Sequence, residues 1–67
     1  MVDNRVDHYE INIAKGGKHW GTVIISDYYP ESAAVEKLQY LRGLFGDEFK
    51  ITMTRWESRG IVKSEWE

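Results

Sequence analysis

From residue 8 to residue 14 the chain alternates strictly: His8, Glu10, Asn12 and Ala14 fall on one side of an extended backbone, Tyr9, Ile11 and Ile13 on the other. Period two with β-branched and aromatic residues predicts a strand buried on the Tyr9 side. The next run, "KHWGTVIIS", is rich in Val, Ile, Thr and Trp and has apolar residues on both sides: Trp20 and Ile24 on one, Val23 and Ile25 on the other. Gly16-Gly17 separates the two runs. Glycine takes positive φ without steric cost, as the favoured two-residue hairpin turn demands. A phosphate-cradling loop would instead need a helix to follow the glycines, and here the next residues read as strand. "KGGK" therefore predicts a hairpin tip, with Lys15 and Lys18 as solvated charges beside it.

The period changes after Ser26. Ala34, Leu38, Leu41 and Phe45 recur at spacings of four, three and four, with Val35 and Leu44 widening the stripe. That is the apolar face of a helix. Glu36, Lys37, Gln39 and Arg42 fall on its polar side. Pro30 suits the first helical position and Glu31 the positive end of the dipole. Ser26, Asp27 or Tyr29 can close the turn before it, with Ser32 as a rival cap. Gly46 fits the left-handed stop. Gly43 implies either a close approach of helix to sheet or an earlier end. Alternation returns in "EFKITMTRW", with Phe49, Ile51 and Met53 on one side and Lys50, Thr52, Thr54 and Trp56 on the other. Residues 61–66 read either as a fourth strand after an "ESRG" turn or as a frayed tail.

Hairpin, helix, strand and an optional last strand assemble in one economical way. The third strand pairs antiparallel with the first, and the helix crosses one face. The expected fold is α+β, a two-layer sandwich with an antiparallel sheet of order 2-1-3, extended by strand 4 if that strand forms. Residues 1–6 read as a loose tail and 7–67 as a single domain. The face away from the helix should hold His8, Glu10, Asn12, Thr52, Thr54 and Trp56, joined by Trp20, Thr22 and Ile24.

With 67 residues the chain has one thin core and little room for a buried pocket. It has no cysteine, so disulfides and thiolate metal sites are excluded. Its two histidines do not make a zinc site, and no metal or cofactor is expected. No nucleophile motif, metallopeptidase signature or phosphate-binding loop is present, which argues against an enzyme. No apolar run approaches the ~20 residues of a membrane span, and "MVDNRVDHYE" has no signal-peptide core.

Nine basic and eleven acidic residues interleave to a formal charge of −2. A dedicated nucleic-acid binder is usually basic, because phosphate neutralisation supplies much of its affinity. Aromatic content is the unusual feature: three Trp, four Tyr and two Phe exceed what so thin a core hides. Surface Trp and Tyr are typical anchors of protein interfaces. The candidate partner-binding residues are Trp20, Tyr28, Tyr29, Trp56 and Trp66, with Lys18 and Arg55 as orienting charges. One tyrosine of the 28–29 pair is expected to pack on the first helical turn as a hydrophobic staple, the other to face a partner.

The stretch "YEINIAKGGK…GTVIISDYYPESAAVEKLQYL…FKITM", residues 9–53, resembles the small phage-encoded anti-CRISPR proteins that inhibit type I systems. The shared pattern is a "YE" opening strand, a hairpin, an Ala-bearing helix entered through a "D…P" turn, and a closing strand. After residue 55, "RWESRGIVKSEWE" has no counterpart in that pattern, and the family has no shared motif from which functional residues could be carried over. The resemblance implies a non-catalytic phage or mobile-element protein in the bacterial cytoplasm, a monomer or homodimer, that inhibits a host protein or ribonucleoprotein complex by direct binding. The alternative is a single-stranded nucleic-acid-binding module that stacks bases on the open sheet face through Trp20 and Trp56, with Lys18, Lys50 and Arg55 nearby.

Overall fold

A computed structural model describes residues 6–57 and 60–66, the side chains of 60–65 excepted. The elements run β1 (Val6–Lys15), β2 (Lys18–Ser26), α1 (Glu31–Phe45), β3 (Lys50–Glu57) and β4 (Gly60–Trp66). They form a four-stranded antiparallel sheet of order β2-β1-β3-β4 with the helix on one face. The α+β sandwich read from the sequence is therefore the fold, and the fourth strand is present. β1 begins at Val6, which pairs with Glu57, one residue before the expected start of the domain. Residues 1–5 of the expected tail and Ser58-Arg59 of the expected turn lie outside the described residues.

Gly16 and Gly17 have φ of 58° and 78°, the left-handed values a tight hairpin needs. Strand β2 follows at once, so the glycines answer a backbone demand and there is no helix N-terminus to hold a phosphate.

At the other end of β2, the Ser26 hydroxyl accepts the Tyr28 N–H at 3.1 Å and its carbonyl accepts the Tyr29 N–H at 3.2 Å. This turn delivers the chain to α1. Pro30 is the N-cap, with ψ of 161°, so the first helical residue is Glu31 and not the proline. Gly46 ends the helix at φ 84°, donating its N–H to the Arg42 carbonyl at 3.1 Å. Gly43 does neither of the things expected of it. The helix continues past it to Phe45, and a side chain there would meet nothing within 4 Å.

The core lies between the helix and the sheet. Tyr9, Ile11 and Ile13 of β1, Ile25 of β2, Ile51 and Met53 of β3, and Ala34, Leu38 and Leu41 of α1 are buried. Burying each large aliphatic chain contributes about 2 kcal/mol. The register sets Ile11 between Val23 and Met53 and Ile13 between Gly21 and Ile51, so strand alternation and helix stripe meet on one face.

Arg42 corrects the sequence reading. It does not stay on the polar side of the helix but reaches down to the sheet, donating to the Ile51 carbonyl at 3.0 Å and 2.7 Å and to the Trp66 carbonyl at 2.8 Å. One guanidinium thus ties α1 to β3 and to the end of β4.

Candidate binding surface

The two faces of the sheet differ in chemistry. On the open face the Cα partners are His8 with Ser26 and Trp56, Glu10 with Ile24 and Thr54, and Asn12 with Thr22 and Thr52. Their side chains form a polar chain. Thr22 donates to Asn12 Oδ1 at 3.0 Å, and His19 Nε2 lies 2.8 Å from Thr22 Oγ1. Asn12 Nδ2 lies 3.5 Å from Glu10, and His8 Nδ1 lies 2.7 Å from the Asp7 carboxylate. Trp56 is half-buried here. Its ring stacks on His8 with centroids 5.7 Å apart, and its indole N–H is shut from solvent without a partner among the described residues.

Trp20 is not on this face. The β1–β2 register slips between Ile13 and Ala14: Ile13 pairs with Gly21 and Ala14 with His19, which leaves Trp20 as the extra residue of a β-bulge. Its ring packs edge-on against Phe49 at 5.2 Å, and Phe49 packs against Phe45 of the helix at 5.0 Å. The bulge thereby turns Trp20 towards the helix side, where it stays 61% exposed.

The sequence-predicted anchor Trp66 and the orienting charge Arg55 also make contacts within the fold. Trp66 is half-buried against the core and meets Tyr9 edge-on at 6.3 Å. Arg55 lies on the helix side, opposite Tyr9, within 3.4 Å of Glu31 and 3.1 Å of Glu57. Tyr9 donates its hydroxyl to the same Glu31 carboxylate at 3.0 Å. Burial first, and the Glu31 hydrogen bond and charge next, push the Tyr9 hydroxyl above its ordinary 10.0. Arg55 is therefore part of a structural ion-pair cluster.

The uncovered apolar surface lies along the flank between β2 and α1. The backbone of the helix packs closely on β3. A groove of about 480 Å3 remains, lined by Val23 and Ile25 of β2, Ala33 and Lys37 of α1, and Tyr29 of the connecting turn. Tyr40 and Leu44 continue the helix stripe begun by Ala33 and Lys37, at spacings of three and four, and both are exposed. Lys37 Nζ sits 5.6 Å from the Tyr40 ring centroid. At the head of the groove Tyr28 and Tyr29 meet edge-on at 5.2 Å, and Tyr28 is 84% exposed. Tyr29 lines the groove beside Ala33 of the first helical turn.

The structure thus brings Tyr28 and Tyr29 together, sets Trp20 and Lys18 at the opposite end of β2, and holds Trp56 against His8, Trp66 against Tyr9 and Arg55 between Glu31 and Glu57. Sequence reasoning did not count Tyr40 and Leu44 among the partner-binding residues and set Leu44 in the core stripe. Their signal was a second apolar stripe running beside the core stripe of α1.

Among the described residues no group of three His, Asp or Glu side chains is placed to hold a metal ion, and no helix is long and apolar enough to cross a membrane. Comparison with protein-family models, with curated proteins and with solved structures finds no match.

Proposed function

We propose that the protein is a small non-catalytic inhibitor that blocks a host defence complex by occupying part of its surface, as its resemblance to type I anti-CRISPR proteins implies. The observation that supports this reading is the aromatic corner of Tyr28 and Tyr29, continued by the exposed Tyr40 and Leu44 along a helix flank that no other element covers among the described residues. Exposed tyrosines beside an apolar groove are what a protein interface uses as anchors: large, rigid, apolar in body and polar at the tip. Nucleic-acid stacking on the open face finds less support. That face carries Trp56 without Trp20, the Trp56 ring is already stacked on His8, and Glu10 lies beside it.

The test is phage plating on a bacterium whose type I CRISPR system targets that phage. Expression of the chain should restore plaque formation. Tyr28→Ala combined with Tyr29→Ala should return plating towards the empty-vector level, since losing one good anchor costs about 2 kcal/mol, roughly thirtyfold in affinity. Wild-type protein that folds and leaves plating unchanged overturns the reading.

A further inference from the structure

We infer that two copies of this chain pair antiparallel through their β2 edges, merging two four-stranded sheets into one of eight strands with both helices on the same side. β2 is a sheet edge, and every second residue of an edge strand turns its N–H and C=O outward. Natural edges are usually blunted by charges, proline or bulges. The other edge, β4, has two irregularities: its pairing with β3 slips between Met53 and Thr54 and again between Arg55 and Trp56. β2 has a single bulge at Trp20, and from His19 to Ser26 it contains no Lys, Arg, Asp, Glu or Pro. The regular stretch Gly21–Ser26 stays open to pairing, with Ile24 58% exposed upon it.

Charge selects a second copy as the occupant. Lys18 opens β2 and Asp27 directly follows its end, with no formal charge between them. An antiparallel pair centred on the regular stretch, between Val23 and Ile24, sets the Lys18 end of each strand towards the Asp27 end of the other, so the strand is complementary to itself. Such a two-fold contact is the commonest form of self-association. The helix flank agrees. Both grooves would open onto the shared strands, so Tyr40 and Leu44 of each copy would look across at those of the other. The pairing would also bring Trp20 of one copy towards the Tyr28–Tyr29 corner of the next, joining anchors that a single chain holds at opposite ends of β2.

Sedimentation equilibrium tests this on the full chain. At roughly 100 μM, where a contact of micromolar affinity is saturated, the mass should be twice 7.9 kDa. Ile24→Lys should give monomers at the same concentration with an unchanged circular dichroism spectrum. Should that variant fail to fold, Thr22→Lys, at another exposed position of the same edge, serves in its place. Lys18→Asp and Asp27→Lys should each weaken the dimer several-fold, and the two together should restore it. A wild-type chain that stays monomeric overturns the inference and leaves the edge for a strand of a different protein. A dimer that survives both edge lysines overturns it as well, and so does a double swap weaker than either single.

Discussion

A tyrosine hydroxyl in an apolar core needs a partner, and Tyr9 finds one in Glu31, 3.0 Å away at the first helical residue. The arrangement makes its ionisation doubly unfavourable, because burial and a neighbouring carboxylate both oppose a phenolate. The folded protein therefore holds this proton more tightly than the unfolded chain does. Its contribution to stability is complete below pH 10.0, the ordinary value, and is lost as pH rises through the higher folded value. Urea unfolding followed from pH 8 to pH 11 should show a decline beginning near pH 10 that is shallower in Tyr9→Phe. At neutral pH the same variant should be about 1 kcal/mol less stable, the usual worth of one hydrogen bond. Equal slopes in the two proteins would contradict the assignment. Trp20 teaches the limit of reading single residues from a pattern. Counting by twos places it with Thr22 and Ile24, but one extra residue in the strand reverses its side, and the hint of it in "KHWGT" is Gly21, since a glycine inside a strand often marks a bulge.

Whole elements were far more legible. The β1 alternation and the four-three-four stripe of α1 rest on periodicities that tertiary packing reinforces, and the Gly-Gly turn on a backbone conformation that glycine takes without cost; all three stand as read, although Leu44, expected to widen the stripe, is exposed. Arg42 escaped the same reasoning because a helical projection records where a residue is attached and ignores a long side chain that can reach back to the sheet. The groove along the helix flank escaped it for a related reason. The sequence identifies one sheet face as uncovered, yet the position of a helix over four strands depends on packing that no local pattern encodes. Within α1, Gly43 is the weak point. It is exposed, in helical conformation and free of neighbours that an added methyl would strike. Gly43→Ala should stabilise the protein by up to about 1 kcal/mol and raise Tm by roughly 4–8 °C. A lowered Tm would mean that this turn of the helix is not as described.

At the scale of the molecule, a single helix over a single sheet leaves little redundancy. A chain of this length is stable by roughly 3–10 kcal/mol. Among the described residues Ile11, Leu38 and Met53 are the largest fully buried side chains, one each from β1, α1 and β3. Removing most of one of them costs about 2–5 kcal/mol, a large part of the whole. Leu38→Ala should thus lower the urea midpoint by about 2 M or more, taking a slope near 1 kcal/mol/M for a small protein, or leave the chain unfolded at room temperature. Circular dichroism against urea reads either result. A loss under about 0.5 kcal/mol would show that the layers are not held together at that point.

The central place of β1 also sets a timetable for synthesis. β1 is synthesised before the two strands that flank it, which set Val23 and Met53 on either side of Ile11. As the nascent chain leaves the ribosome, the hairpin of β1 and β2 can close by itself, but its oily side has no cover until α1 follows. Until then Ile11 and Ile13 are bare, and that interval is when the newborn molecule is most exposed to sticking to its neighbours.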